Sequence, residues 1–485
     1  MEPIRILSPE QMERIDAAAT TILDETGMII QSEEALGLLE RAGCTVDRAT
    51  YLVRFPRRVV REAVERMKRG YACRSRPERM PVRFSHVRFR AAPFEVHRDF
   101  TVSAGGFNCF LVDLDGTKRK ATRDDVLCAI NMVNRLDQVD LSGLPVSDQG
   151  VPAQARPVVM AATLAKYTTK IGGIETFHPE DVAPITEIAE VAAGSAEEFR
   201  RRPRLVGYAE VRSPLCFDRN MVDIFLEYVK RGVPQTVDTM PCGGTTAPVT
   251  AAGILALGTA ETLASVVLAY AAREDAVVGV DITPSYADMS SGIFKYSGAD
   301  RWNLLMARVQ LLAEFYGIPT GVHGGKSDSC FLNEQTGAEK MGSMLLPVLA
   351  GAVGIGTVGQ IENAVTFSPV QLVIDNEIAR CVRRAVRPIE INEDRLAANL
   401  VRAVGPGGNF LGEMHTAAYF RDEMLLSPLF TAQAWDRAHA EPARFDTVPA
   451  ATETARELWK KPDAPVLSDD QIKAIDKIVE RASRT

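Results

Sequence analysis

The densest group of chemistry-bearing side chains is the segment GVHGGKSDSCF, which sets His323, Lys326, Asp328 and Phe331 around Gly324 and Gly325. An imidazole, an ammonium and a carboxylate crowd one loop, and paired glycines permit close approach of a ligand to the backbone. Polar residues recur where other apolar runs end, in Ile174-Glu175-Thr176, Ala209-Glu210-Val211, Asp238-Thr239, Asp281-Ile282-Thr283 and at Gln360. Glu210, Asp238, Asp281 and Gln360 are therefore expected at the mouth of a site. The acids are read first as struts paired with neighbouring Arg, and second as direct contacts. His415, after the turn-rich GPGGNF, is expected either at that mouth or in a local bond, and His86, His97 and His439 in structural roles.

Several chemistries are excluded by what is missing. There is no H-E-x-x-H, G-x-S-x-G or G-x-x-x-x-G-K-[ST]. Gly354-Ile-Gly-Thr-Val-Gly359 matches the dinucleotide fingerprint, but Pro369 follows too soon and the match does not open a βαβ unit, so packing glycines are expected. The eight Cys form no C-x-x-C pair or zinc-spaced cluster, and no metal site is assigned. No His follows an Asp by two positions, so the D-x-H-x-x-G pattern of corrinoid-carrying domains is absent as well.

The elements that must position these groups follow from periodicity. LSPEQMERIDAAATTILDETG has an N-cap Ser, an early Pro, apolar residues three and four apart and a closing Gly, predicting a helix over 8–27. Helices are also predicted over 33–43 and 55–69, then short antiparallel strands over 82–112. Beyond 125, apolar β-rich runs start at Lys170, Leu205, Val233, Ala276, Gly317 and Ala352, spaced 28 to 43 residues apart, with another near Val139. Each gap holds a crossover helix, which predicts a parallel sheet closed as an α/β, TIM-type (β/α)8 barrel. The expected layout is an N-terminal helical and antiparallel-β cap over 1–120, the barrel over 121–430, and a C-terminal helical tail over 431–485.

The formal net charge of −7 offers no basic footprint for nucleic acid, and the Arg54–Arg69 cluster, interrupted by Glu62 and Glu65, reads as a solvated helix face. Residues 249–272 approach a membrane span in length, but Glu261 sits near the middle among small residues, so a buried helix is expected and no membrane partner. The N-terminus lacks the apolar run of a signal peptide, which points to the cytoplasm. The composition admits a homo-oligomer.

Six segments in order, LSPEQMERIDAAATTILDETGM, DLDGTKRKATRDD, PCGGTTAPVTAAGILALGTAETLASVVLA, HGGKSDSCFLNEQTGAEK, QLVIDNEIAR and AVGPGGNFLGEMHT, make nearly the whole chain resemble the trimethylamine methyltransferase (MttB-like) superfamily. The resemblance implies transfer of a methyl group from a methylated amine to the Co(I) corrinoid of a partner protein, so the cobalamin is supplied from outside. It also implies that pyrrolysine of the trimethylamine enzymes corresponds to a position at or near Lys326, where this chain has an ordinary residue.

Members without pyrrolysine act on quaternary amines, which makes glycine betaine the expected donor and dimethylglycine the product. Carnitine, proline betaine or a methylated sulfur compound is the alternative, and a non-catalytic betaine-binding protein the alternative of another class. A quaternary ammonium already has a neutral amine as leaving group, so no acid or base is assigned. Phe331, Phe107, Phe294 and Tyr296 are the expected aromatic grip on the cation. His323, then Lys326, is the expected donor to a carboxylate.

Overall fold

The computed structural model describes residues 1–73, 95, 96, 99–201, 203 and 206–483. His86 and His97, and about half of the segment 82–112 in which antiparallel strands are expected, lie outside the described residues. The first helix, Pro9–Thr21, starts at the Ser8 cap with the reciprocal Ser8 and Gln11 bonds of a capping box. It runs into a wider turn over Ile22–Thr26 and stops at Gly27, whose φ of 80° suits glycine. Helices Glu33–Arg41 and Arg57–Cys73 follow as expected. An unforeseen antiparallel sheet of Met28–Ile30, Leu52–Arg54 and Thr45–Asp47 joins them and pairs in parallel with Cys216–Phe217.

The rest is mixed α/β with two runs of parallel strands. In one, Val278–Val280, Gln235–Thr239 and Gly207–Val211 lie side by side. In the other, Gly321–Val322, Gly354–Val358, Thr101–Ala104 and Leu141–Ser142 lie in that order, extended by a bridge from Ser142 to Ile171. These eight segments are each followed by a helix, from Arg123–Arg135 to Pro369–Ala385. The repeat spacing located seven of them. Thr101–Ala104 is the correction: expected as part of an antiparallel cap, it pairs in parallel with Gly354–Val358, so the α/β repeat begins near residue 100. Alternation cannot tell the two pairings apart in a four-residue strand, because both place successive side chains on opposite faces. The cap does keep a hairpin, Phe110–Val112 with Lys118–Lys120.

Helix Ala251–Ala272 is apolar and long enough to cross a membrane, yet 83% of its apolar window is buried in the protein. Glu261, fully buried, accepts from Ser213 Oγ and Leu215 N, each at 2.8 Å, and from Thr239 Oγ1. The carboxylate thus ties the helix to the end of strand Gln235–Thr239.

A second buried ionic tie joins helices Glu334–Leu349 and Pro369–Ala385. Lys340 Nζ donates to Asp375 Oδ2 and to Gly325 O, both at 2.6 Å, with neither side chain exposed. Asp375 also accepts from Gly359 N at 2.6 Å and Gln371 Nε2 at 2.8 Å. Lys340→Met should lower unfolding free energy in urea by ~3–5 kcal/mol, because Asp375 is left as an uncompensated buried charge.

Candidate active site

Side chains two apart on a strand share a face, so the C-terminal ends of the parallel segments send alternate residues inward. They enclose a cavity of about 320 Å³ that every one of the eight segments or the loop following it helps to line. Protein interiors are normally filled to crystal density. Seven of the residues that line this space are glycines, among them Gly143, Gly173 and Gly356, which add no side chain to fill it.

The charged part of the lining is mostly acidic: Glu175, Glu210, Asp238 and Asp281 face Lys326 and His323. Tyr208 Oη lies 3.1 Å from Glu210 Oε1 and 3.0 Å from Asp238 Oδ2, and Thr283 Oγ1 donates to Asp238 Oδ2 at 2.8 Å. His323 Nε2 is 3.7 Å from the same Asp238 oxygen. Burial pushes the Asp238 carboxyl up, but the His323 and Thr283 contacts outweigh it and hold the group below its usual range. Glu175 and Glu210 are compensated less fully. Burial, with Glu210 beside it and Lys326 in partial compensation, raises Glu175 to about 7, and Glu210 is raised by burial and by Asp238. Glu210 is nevertheless accessible and Glu175 half-buried, because both are exposed to the cavity.

Lys326 Nζ stands 4.0 Å from the Tyr296 ring centroid. Burial, with the Arg301 guanidinium nearby, lowers its ammonium to about 8 against the pull of Asp238, Glu210 and Glu175. Tyr296 is held from behind: Asp328 accepts from Tyr296 N at 2.6 Å and Ser297 N at 3.1 Å, and buried Arg301 donates to Tyr296 O at 2.6 Å. Asp328 therefore clamps the backbone.

Asp238, Asp281 and His323 also bring three potential ligand atoms within 4.8 Å of one another. Fully buried Arg308 pairs with Asp281 and bonds Thr320 Oγ1 at 2.6 Å, so this corner is an ionic network whose acid already has a cation.

The expected residues divide clearly. His323, Lys326, Tyr296, Glu210, Asp238, Asp281 and Gln360 line the cavity. Gln360 Nε2 donates to Asn108 Oδ1 at 3.2 Å, while its Oε1 is buried with no hydrogen-bond partner among the described residues. The four-ring grip is not assembled. Phe331 is 72% exposed outside the cavity, Phe107 packs edge-on to Phe177 at 5.6 Å, and Phe294 lies against Tyr296 at 4.7 Å without reaching the lining. Gly324 and Gly325 serve the protein instead of a ligand. A Cβ on Gly324 would lie 2.5 Å from Ser343 O, and one on Gly325 2.4 Å from Val358 N. His415 bonds Asp394 O at 3.0 Å, settling it as a local contact, and His439 stacks on Trp435.

Tyr208, Arg301 and Arg308 escape the sequence reading, and Glu175, noted at a strand end, is not among the mouth residues it singles out. Strand parity could have found Tyr208 and Glu175: Tyr208 shares a face with Glu210, and Glu175 occupies the same place in its own segment. The arginines lie on helix Ala299–Gln310, and no local pattern marks them as neighbours of strand ends.

In the ligand-free protein the Glu175 carboxyl carbon should titrate near pH 7 by 13C NMR. Lys326→Met should raise that midpoint by removing a cation, and Glu210→Gln should lower it by removing a like charge.

Comparison with known proteins agrees over the full length. The trimethylamine methyltransferase MttB of Desulfitobacterium hafniense is 28% identical over 418 residues, covering 86% of this chain and 82% of its own. A glycine betaine methyltransferase of the same species is 27% identical over 436 residues, covering 89% and 88%. The solved monomethylamine methyltransferase of Methanosarcina barkeri aligns over 98% of this chain and 92% of its own at 13% identity and a TM-score of 0.43. The family model for trimethylamine methyltransferases (MTTB) matches residues 1–485, and the chain belongs to that family.

Proposed function

We propose that this methyltransferase moves a methyl group from a small quaternary amine, glycine betaine in the first instance, to the reduced cobalt of a partner corrinoid protein. The observation that carries the reading is the cavity: about 320 Å³, four carboxyl groups, two tyrosines and one lysine. That volume suits a small zwitterion and is far too small for a corrin ring, so the acceptor meets the methyl group at the mouth. The two parallel runs are read as one eight-stranded barrel, a reading supported by the contribution of all eight units to one cavity. The seven cysteines whose side chains are described are free thiols, which suits a reducing cytoplasm.

The acceptor's cobalt supplies the electron pair of the new bond to carbon, and the C–N pair stays with nitrogen as a neutral tertiary amine. The chain's own task is to bind, align and exclude water. Glu175, Glu210 and Asp238 attract the ammonium through a poorly screened interior, replacing most of the expected aromatic grip. Tyr296 remains the one ring from that grip, and its face now carries Lys326. Lys326 is assigned as the donor to the betaine carboxylate in preference to His323, whose Nε2 faces Asp238. Because the ammonium charge fades as the methyl leaves, the carboxylates stabilise the bound substrate more than the transition state, so they serve recognition.

Purified protein mixed with cob(I)alamin and glycine betaine should yield methylcobalamin and dimethylglycine. Inertness toward betaines, carnitine and methylated sulfur compounds alike would sink the assignment, and betaine binding without turnover would favour a sensor. Lys326→Met should raise KM for glycine betaine at least tenfold, about 1.5–3 kcal/mol for a charge-assisted bond, while binding of tetramethylammonium should not weaken.

The pH dependence has two limbs. Below about 7 Glu175 holds a proton, so affinity for the permanent cation rises with pH through that value. Above about 8 Lys326 loses its charge and with it the carboxylate donor. Calorimetry should find glycine betaine binding tightest between these values, and tetramethylammonium binding with no decline above the second.

A further inference from the structure

Among the described residues, burial pulls three lysines below their ordinary range, and two of them have their nitrogen tied up in hydrogen bonds. Lys170 Nζ donates to Val133 O at 2.9 Å, Leu136 O at 3.0 Å and Val139 O at 2.7 Å, and Lys340 Nζ donates to Gly325 O and Asp375 Oδ2. Lys326 differs from both. Its Nζ has no hydrogen bond and no ion pair among the described residues, only the face of Tyr296 at 4.0 Å, and the residue lines the cavity. Methyl transfer as proposed uses this group only as an ammonium. With its midpoint at about 8, roughly one in ten is the free amine at pH 7. A desolvated lysine beside another cation, here Arg301, is the setting in which an amine attacks a carbonyl carbon.

We infer that Lys326 is a covalent site for a small aldehyde carrying a quaternary ammonium, which it captures reversibly as an imine. Glu175, Glu210 and Asp238 draw the cation as the proposed function has them draw the methyl donor, and the inference rests on that reading. The aldehyde then lies where the donor's carboxylate would meet Lys326. An uncharged carbonyl asks for the nitrogen's lone pair instead of its positive charge. The Lys326 nitrogen bonds to the carbonyl carbon, and the proton it sheds passes to the carbonyl oxygen. Glu175, half protonated near pH 7 and within electrostatic reach of Lys326, gives its proton to the resulting hydroxyl. The C–O bond breaks, water leaves, and the carboxylate takes the remaining N–H proton. No oxidant or reductant takes part, and Glu175 ends as it began. The imine occupies the donor's place, so the captured aldehyde blocks methyl transfer until water reverses the step.

The full chain mixed with trimethylammonioacetaldehyde and sodium cyanoborohydride, which reduces an imine to a stable secondary amine, should carry an adduct that peptide mass mapping places on Lys326. The uncharged isostere, with a tert-butyl group in place of the trimethylammonium, should label Lys326 at least ~10-fold more slowly, because the buried carboxylates no longer hold it. Tetramethylammonium should slow labelling by the cationic aldehyde through competition. Adducts on other lysines with Lys326 bare, equal rates at Lys326 for the two aldehydes, or no competition by tetramethylammonium would overturn the proposal. Turnover of glycine betaine with free cob(I)alamin is scored separately, so either reading can fail alone.

Discussion

The buried pair of Lys340 and Asp375 is the interaction on which the cavity's shape depends. Each end of the pair grips backbone that carries site residues: Lys340 holds Gly325 O, between His323 and Lys326, and Asp375 holds Gly359 N, next to Gln360. Burial pulls the ammonium down and pushes the carboxyl up, so both ions would be expensive alone. Four hydrogen bonds at 2.6 to 2.8 Å offset the cost and turn it into positional precision. An apolar pair could fill the space, but it would not fix two loops to a common point.

Around that frame the cavity is kept electrostatically incomplete. Asp238 has donors enough to stay ionised, whereas Glu175 and Glu210 are lifted by burial and by nearby carboxylates. Such a set gains most when a cation arrives, because the newcomer stabilises the charged form of every carboxyl at once. Tyr208 spaces Glu210 from Asp238, and Arg308 neutralises Asp281, which keeps mutual repulsion within limits. On the proposed reading, binding of the cation is thereby coupled to proton release near neutral pH.

Glycine makes this possible in two different ways. At Gly324 and Gly325 missing side chains let one segment press against the helix and strand behind it. At Gly143, Gly173 and Gly356 they leave room in an interior that branched side chains would otherwise fill. Phe107 shows the consequence of close packing elsewhere, since its ring is used against Phe177 in the wall.

The repeated spacing of apolar runs determined the α/β repeat, and the capped opening helix was legible because Ser8, Pro9 and Gly27 act on their own neighbours. Glu261 marked its helix as a buried one for a similar reason: a carboxylate set among small residues in an apolar run needs hydrogen-bond donors from a fold packed closely around it. Most of the acids at the rim could be read from their places at strand ends. Only the tertiary structure decided which side chains meet across the cavity. Thr101–Ala104 needed a partner about 250 residues away to become a parallel strand, and Arg301 and Arg308 needed helix packing to reach the site. The aromatic grip failed as an expectation because proximity in sequence does not set direction: Phe331 follows Lys326 by five residues yet points to solvent, while Tyr296, thirty residues earlier, lies beneath the lysine. Local chemistry fixed the elements, and their packing fixed the site.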